Sequence, residues 1–184
     1  MERDDELYGR FLTGDTAAYD ALMLRYGDRL TLYLNGYLHD FQDAEDMMIE
    51  AFARIMVKKP HIRDGGFKAY LYKTGRNLAY RFAAKKNKFR SFSLEELTEE
   101  IPGGELPEKV FEKAEDRRLL FQGLSRINPM YREALWLVCF ENLSYKEAAR
   151  ITGTSGKKID NFLTRGKQAL RKELEKEGMT YAFE

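Results

Sequence analysis

Apolar residues along this chain recur at three- and four-residue steps, the spacing that lays one buried stripe along a helix. The first such stretch predicts a short helix over Asp4 to Leu12, closed by a Gly14-Asp15 break. A long helix capped by Asp15 follows, with Tyr19, Leu22, Tyr26, Leu30, Tyr33 and Tyr37 as its stripe. A row of tyrosines can stack nucleic-acid bases, but helical spacing favours core packing, and we read it as core. In the next helix Ala44, Met47, Met48, Ala51, Phe52 and Ile55 form the apolar side, and Pro60 ends it. His61 to Gly66 then reads as a loop. A helix starting near Phe67 buries Phe67, Tyr70, Leu71, Thr74, Leu78 and Phe82. From Ser91 to about Pro107 the pattern breaks into glutamates with Pro102, Gly103, Gly104 and Pro107. Helical spacing resumes near Glu108 and runs through Ala114, Leu119, Leu120, Leu124 and Ile127 to Pro129, a natural first-turn residue of the next helix. Tyr131 to Phe140 is strongly apolar and belongs to a core. The expected architecture is all-α: two small helical domains over residues 1–90 and 108–184, joined by a flexible acidic linker at 91–107, with no internal repeat.

The second domain ends in the most informative stretch, Leu143 to Leu174, which has the build of a helix-turn-helix. Ser144 caps the first helix and Glu147 is its reciprocal partner. Ala149 is small where two helices cross, and Gly153 permits the positive backbone angle of the turn. Ile159, Phe162, Leu163, Gly166 and Leu170 face inward, which leaves Lys157, Lys158, Asn161, Arg165 and Gln168 on the outer side. Those side chains suit base edges and phosphates. The competing reading is a surface helix pair with a solvated basic face.

Composition changes this picture little. The 184 residues carry 31 Lys and Arg against 30 Asp and Glu, so net charge argues for no anionic partner; only its distribution does. The single cysteine, Cys139, excludes an internal disulfide and lies in an apolar run, where it is expected in the core. His39 and His61 sit in no Cys/His spacing, so neither a zinc site nor any cofactor is expected. No apolar segment has the length of a signal-peptide core or a membrane span, which predicts a cytoplasmic protein without membrane insertion.

Two charged faces remain open on physical grounds. Asp43, Asp46 and Glu50 fall together on one expected exposed face, as a metal or acid/base site, a docking face for a basic partner, or a solvated face. A metal site wants further ligands on a facing helix, and His39 alone is thin support. The helix after Phe67 carries Lys73, Arg76, Arg81, Lys85, Lys86, Lys88 and Arg90 with no acid among them. Such a run is ordinarily solvated, although interleaved aromatics favour nucleic-acid contact.

The order Gly14-Asp15, Tyr19, Leu22, Tyr26, then Asp43-Ala44-Glu45-Asp46, Glu50, Phe52, Arg54, then Phe67, Leu71-Tyr72 and Arg76-Asn77 resembles the second domain of bacterial sigma factors. Pro129, Tyr131-Arg132-Glu133, Leu143-Ser144-Tyr145, Glu147, Ala149, Ile151, Gly153, Ser155, Arg165 and Leu170 resemble the fourth. With only these two domains, the chain is similar to the extracytoplasmic-function (ECF) group of the sigma-seventy family.

That resemblance implies a transcription initiation factor rather than an enzyme: a protein that binds core RNA polymerase, directs it to promoters and aids their melting. Asp43, Glu45, Asp46 and Glu50 become the polymerase-docking surface. The loop Lys59 to Gly66 and the following helix become the part that captures the melted nontemplate strand at the minus-ten element, through Arg63, Lys73, Arg76, Asn77, Arg81, Lys85 and Lys86. The acidic linker corresponds to a segment that threads toward the RNA exit path. The helix-turn-helix reads duplex DNA at the minus-thirty-five element through Ser155, Lys157, Lys158, Asn161, Arg165 and Gln168. An anti-sigma factor is the further partner implied.

Departures from the family pattern are Tyr70 for the commoner Trp, expected to keep an aromatic core residue, and Ile49 for a usual glutamine. Gly156-Lys157-Lys158 and Asp160-Asn161-Phe162 are also unusual and predict an atypical promoter word. Asp160 either accepts a hydrogen bond from cytosine or faces away. The alternative reading is a stand-alone helix-turn-helix regulator, which ordinarily dimerises, and no dimerisation helix is left over once both domains are assigned.

Overall fold

A computed structural model describes residues 2–85 and 114–178, and the acidic linker read from the sequence lies outside them. The chain divides into two compact units, residues 1–89 and 90–184. All regular structure among the described residues is helical. The first unit holds α1 (Asp4–Leu12), α2 (Thr16–Leu38), α3 (Phe41–Lys58) and α4 (Phe67–Lys85). The second holds α5 (Ala114–Arg126), α6 (Pro129–Leu135), a π-helical turn (Trp136–Phe140), α7 (Tyr145–Thr152) and α8 (Gly156–Lys176).

In the first unit α2 is the central element, packed by α1, α3 and α4. Asp15 starts it by accepting a hydrogen bond from the Ala18 amide. The tyrosine stripe is core: Tyr19, Tyr26, Tyr33 and Tyr37 are all buried. The stripe is nonetheless too narrow a description, because every residue from Leu30 to Leu38 is buried, including Thr31 and Asn35. His39, with φ of 52°, ends α2 and Asp40 caps α3 by accepting from the Asp43 amide at 3.0 Å. That two-residue corner folds α3 back on α2. Gly75 lets α4 approach α2, since a Cβ there would lie 3.2 Å from Leu30 Cδ1 and 3.3 Å from Leu34 Cδ2.

α4 turns Phe67, Leu71 and Leu78 to the core as its apolar spacing predicts, but not the whole of that stripe. Leu71, Tyr72, Gly75, Leu78, Ala79 and Ala83 are buried, Thr74 and Phe82 only partly, and Tyr70 is exposed. The expectation that Tyr70 is a core aromatic is therefore corrected. The buried side takes in Tyr72, Gly75 and Ala79, so Tyr70, on the opposite side of the helix from them, falls outside it.

In the second unit Asn128 caps α6, with Pro129 in its first turn. Arg132 is buried and donates to the carbonyls of Leu124, Ser125 and Ile127 at 2.5, 2.6 and 2.9 Å. A cation thus satisfies the last carbonyls of α5, where the helix dipole favours it. The apolar helix expected through Phe140 changes to π geometry after Leu135, with the Glu141 amide bonding Trp136 O five residues back. This corrects the expectation for Cys139, which is exposed. An α-helix would place Cys139 one turn above Leu135; the wider turn puts Phe140 there, its ring 5.4 Å from that of Trp136.

Candidate polymerase and nucleic-acid surfaces

The helix-turn-helix is assembled by local hydrogen bonds that the sequence specifies. The Ser144 amide donates to Glu147 Oε2 at 2.8 Å and the Glu147 amide to Ser144 Oγ at 3.3 Å, the reciprocal capping box. Gly153 ends α7 with φ of 71°. Ser155 caps α8, its hydroxyl accepting from the Lys158 amide at 3.3 Å. Ile159, Leu163, Gly166, Leu170 and Leu174 are buried, while Phe162 is half-buried with its ring 5.8 Å from that of Tyr131. A Cβ on Gly166 would lie 3.1 Å from Leu135 Cδ1 and 3.2 Å from Tyr131 Cβ, so α6 and α8 cross in close contact there.

With the helix so seated, Lys157, Lys158, Asn161, Arg165 and Gln168 are all exposed, and Ser155 stands exposed at its start. Asp160 is exposed as well. Thr164, Arg171 and Lys172 share this solvent side and were missed by the sequence reading, although the same three- and four-residue steps lead to them.

In the first unit the minus-ten candidates do not form one set. Arg63 is exposed in the loop between α3 and α4, and Lys73, Asn77, Arg81 and Lys85 are exposed along α4. Lys86 lies outside the described residues. Arg76 is only partly exposed: its Nε donates to the Tyr37 hydroxyl at 3.0 Å and Nη2 to the Tyr80 hydroxyl at 3.3 Å. Its guanidinium carbon lies 4.5 Å from the Tyr80 ring centroid and 5.6 Å from that of Tyr37. Arg76 therefore ties α4 to α2. Arg54, Ile55 and Lys58 of α3 and Tyr70, Thr74, Asn77, Leu78 and Arg81 of α4 line a cleft of about 170 Å³. Tyr70, Arg54 and Lys58 are the members that sequence reasoning did not assign. Helical spacing put Tyr70 on the apolar stripe, so only the cations Lys68 and Lys73 beside it were a legible signal.

The acidic candidates on α3 also divide. Glu45 and Asp46 are exposed, while Glu50 is half-buried and paired with Arg54 at 2.7 Å. Asp43 is buried, which corrects the expectation of one exposed face carrying Asp43, Asp46 and Glu50 together. It occupies the first turn beyond the His39–Asp40 corner, where α3 is pressed against the end of α2. Ile49, Met56 and Val57 are exposed apolar residues on this helix, so its outer side mixes acids with apolar contact area. Among the described residues no three His, Cys, Asp or Glu side chains gather as a metal ion would require. No described helix is long and apolar enough to cross a membrane.

Comparison with known proteins adds independent findings. Residues 22–89 match the family described as Sigma-70 region 2, and residues 117–170 match Sigma-70, region 4. The ECF RNA polymerase sigma factor SigE of Mycolicibacterium smegmatis is 29% identical, across 96% of this chain and 71% of that protein. The RNA polymerase sigma-H factor of Pseudomonas aeruginosa is 27% identical across 95% of both chains. Among solved structures, CnrH in complex with the cytosolic domain of CnrY has the same fold, with a TM-score of 0.63 at 20% identity over 95% of this chain and 98% of that one. The sigma factor RpoE in complex with the anti-sigma factor NepR, from Bartonella quintana, gives 0.62 at 19% identity over 85% and 96%.

Proposed function

The chain belongs to the sigma-70 family, in its ECF group, and directs RNA polymerase to promoters; from that premise we propose how its surfaces divide the work. α3 docks on the polymerase through Glu45, Asp46 and Glu50 together with the exposed Ile49, Met56 and Val57. Acids steer the encounter with a basic surface, and the apolar residues beside them supply contact area once water is expelled. Asp43 belongs to this face by sequence only; its side chain is buried and its amide donates to the capping carboxylate of Asp40.

α4 and the loop before it hold the melted nontemplate strand at the minus-ten element. Arg63, Lys73, Arg81, Lys85 and Lys86 line its phosphates, and Asn77 reads a base extruded into the cleft beside Tyr70. Arg76 supports this surface through Tyr37 and Tyr80. α8 lies in the major groove of the minus-thirty-five element. Lys157 and Lys158, at the positive end of the helix, take phosphate, while Asn161, Arg165 and Gln168 reach base edges. The protein carries out no covalent chemistry, works in the cytoplasm and has an anti-sigma factor as a further partner, a reading supported by the solved complex of RpoE with the anti-sigma factor NepR.

The observation that carries this reading is a capped two-helix motif turning five polar side chains to solvent from one face of α8. Run-off transcription by bacterial core polymerase, with and without the protein, on a library of random promoter DNA tests it. Selective new starts sharing two upstream words are expected. Absence of both transcripts and co-elution with the core enzyme would refute the division of surfaces.

A further inference from the structure

The loop 59–66 is short, polar and exposed over most of its length, yet it must hold one shape to present Arg63. Its own bonds fix only its far end, where the Gly66 amide bonds Arg63 O at 2.8 Å and Gly65 takes a positive φ of 70°. Its near end is tied to α3, where the Lys59 amide donates to Ile55 O at 2.9 Å, and to α1, a helix that precedes the segment matching the family. The Tyr8 hydroxyl donates to the Pro60 carbonyl at 2.8 Å, across 52 residues of sequence. The Lys59 ammonium sits 5.1 Å from the centroid of the Phe11 ring, and Lys59 itself is a non-glycine residue at φ of 43°. The Tyr8 ring also lies 5.3 Å from that of Phe67, the first residue after the loop. One buried side chain of α1 therefore touches both ends of the loop.

We propose that α1 is a splint for the strand-capturing loop, with Tyr8 a positioning residue whose hydroxyl latches Pro60. The inference rests on the reading of loop 59–66 as part of the strand-capture surface, and it assigns α1 a role in promoter opening rather than in polymerase docking. Packing alone would hold α1 on the bundle through Leu7, Phe11 and the Tyr8 ring. The hydroxyl adds a bond to a carbonyl that no helix satisfies. Burial and, secondarily, Tyr70 push the Tyr8 phenol above its ordinary value, so it remains a neutral donor throughout the working pH range.

Tyr8→Phe removes the latch and keeps the ring, so the variant folds. Two measurements on the full chain test it. Amide hydrogen exchange at Lys59 and Gly66, the bonded amides at the two ends of the loop, should quicken roughly three- to ten-fold, the equilibrium worth of one hydrogen bond, while α2 and α4 exchange as before. With core polymerase, on a promoter taken from the run-off selection, initial binding should be unchanged and conversion to the melted complex slowed by a similar factor. Unchanged exchange in the loop, or faster exchange with unaltered melting, overturns the splint. Arg63→Ala separates this from the underlying reading: if it leaves melting untouched, strand capture by the loop falls, and the exchange result still decides whether Tyr8 holds Pro60.

Discussion

Arg165→Ala and Lys158→Ala are expected to weaken upstream-element binding in different ways, although both residues are exposed on one helix. Neither change disturbs the fold, because exposed substitutions away from caps and cores stay within about 0.5 kcal/mol. Lys158 lies in the first turn of α8, where free amides and the helix dipole already favour an anion. In the proposed seating its ammonium meets phosphate, a contact that would be blind to sequence. Arg165 lies seven residues farther along, a rise of roughly 10 Å, comparable with the ~12 Å width of the major groove. The span is thus short enough for one groove, and in the seating proposed for α8 Arg165 meets base edges. Loss of a bidentate guanine contact costs about 1–3 kcal/mol, or roughly 5- to 150-fold in affinity.

The assay is binding of the reconstituted holoenzyme to promoter DNA at several salt concentrations, with each upstream base pair changed in turn. Arg165→Ala should abolish discrimination at one base pair and leave the salt slope nearly unaltered. Lys158→Ala should weaken every sequence alike and lower the slope by about one. Equal, sequence-independent losses for both variants would refute the seating of α8 deduced from its buried stripe.

Further expectations follow from the same geometry. Asp46→Arg, on an exposed position, should abolish co-elution with core polymerase while circular dichroism is preserved, whereas Asp43→Arg should lower the melting temperature because the site is buried. Arg132→Met keeps the apolar stem but strips the α5 carbonyls of their donors, and urea unfolding should register a loss of about 2–4 kcal/mol. The Cys139 thiol is pushed above its ordinary value by partial burial, with Lys167 offsetting some of the effect. The charged form is disfavoured, so its alkylation by iodoacetamide should rise with a midpoint above that of free cysteine, and a midpoint at or below the free value would show the cause misassigned.

The caps and stops were legible because they are local chemistry. Asp15, Ser144 with Glu147, Gly153 and the Pro129 start each act within a few residues, and each stands where its residue type demands. Stripes with a single strong period, as in α8, were legible too. Three errors share one cause, which is helix phase. Tyr70, Asp43 and Cys139 were each assigned to the wrong side of a helix. In α4 the buried side takes in Tyr72, Gly75 and Ala79 and so excludes Tyr70, in α3 it follows the tight corner, and after Leu135 the π turn delays it by one residue. Phase at such points is set by the partner helix, which a window along one segment does not contain.

Those phase shifts matter to function because each moves a side chain toward or away from a working surface. Turning Tyr70 outward makes it line the cleft with Asn77 and Arg81, where the proposed strand capture would use a residue read as core to stack a base. Turning Asp43 inward leaves the docking side of α3 with fewer acids and more apolar area than its sequence suggests. Affinity there should then depend less on salt than a purely acidic face would, because expelled water at Ile49, Met56 and Val57 is not screened by ions. Under the proposed docking, a helix whose sequence left a docking face and a solvated face open thus offers a mixed surface suited to a lasting complex rather than to encounter alone.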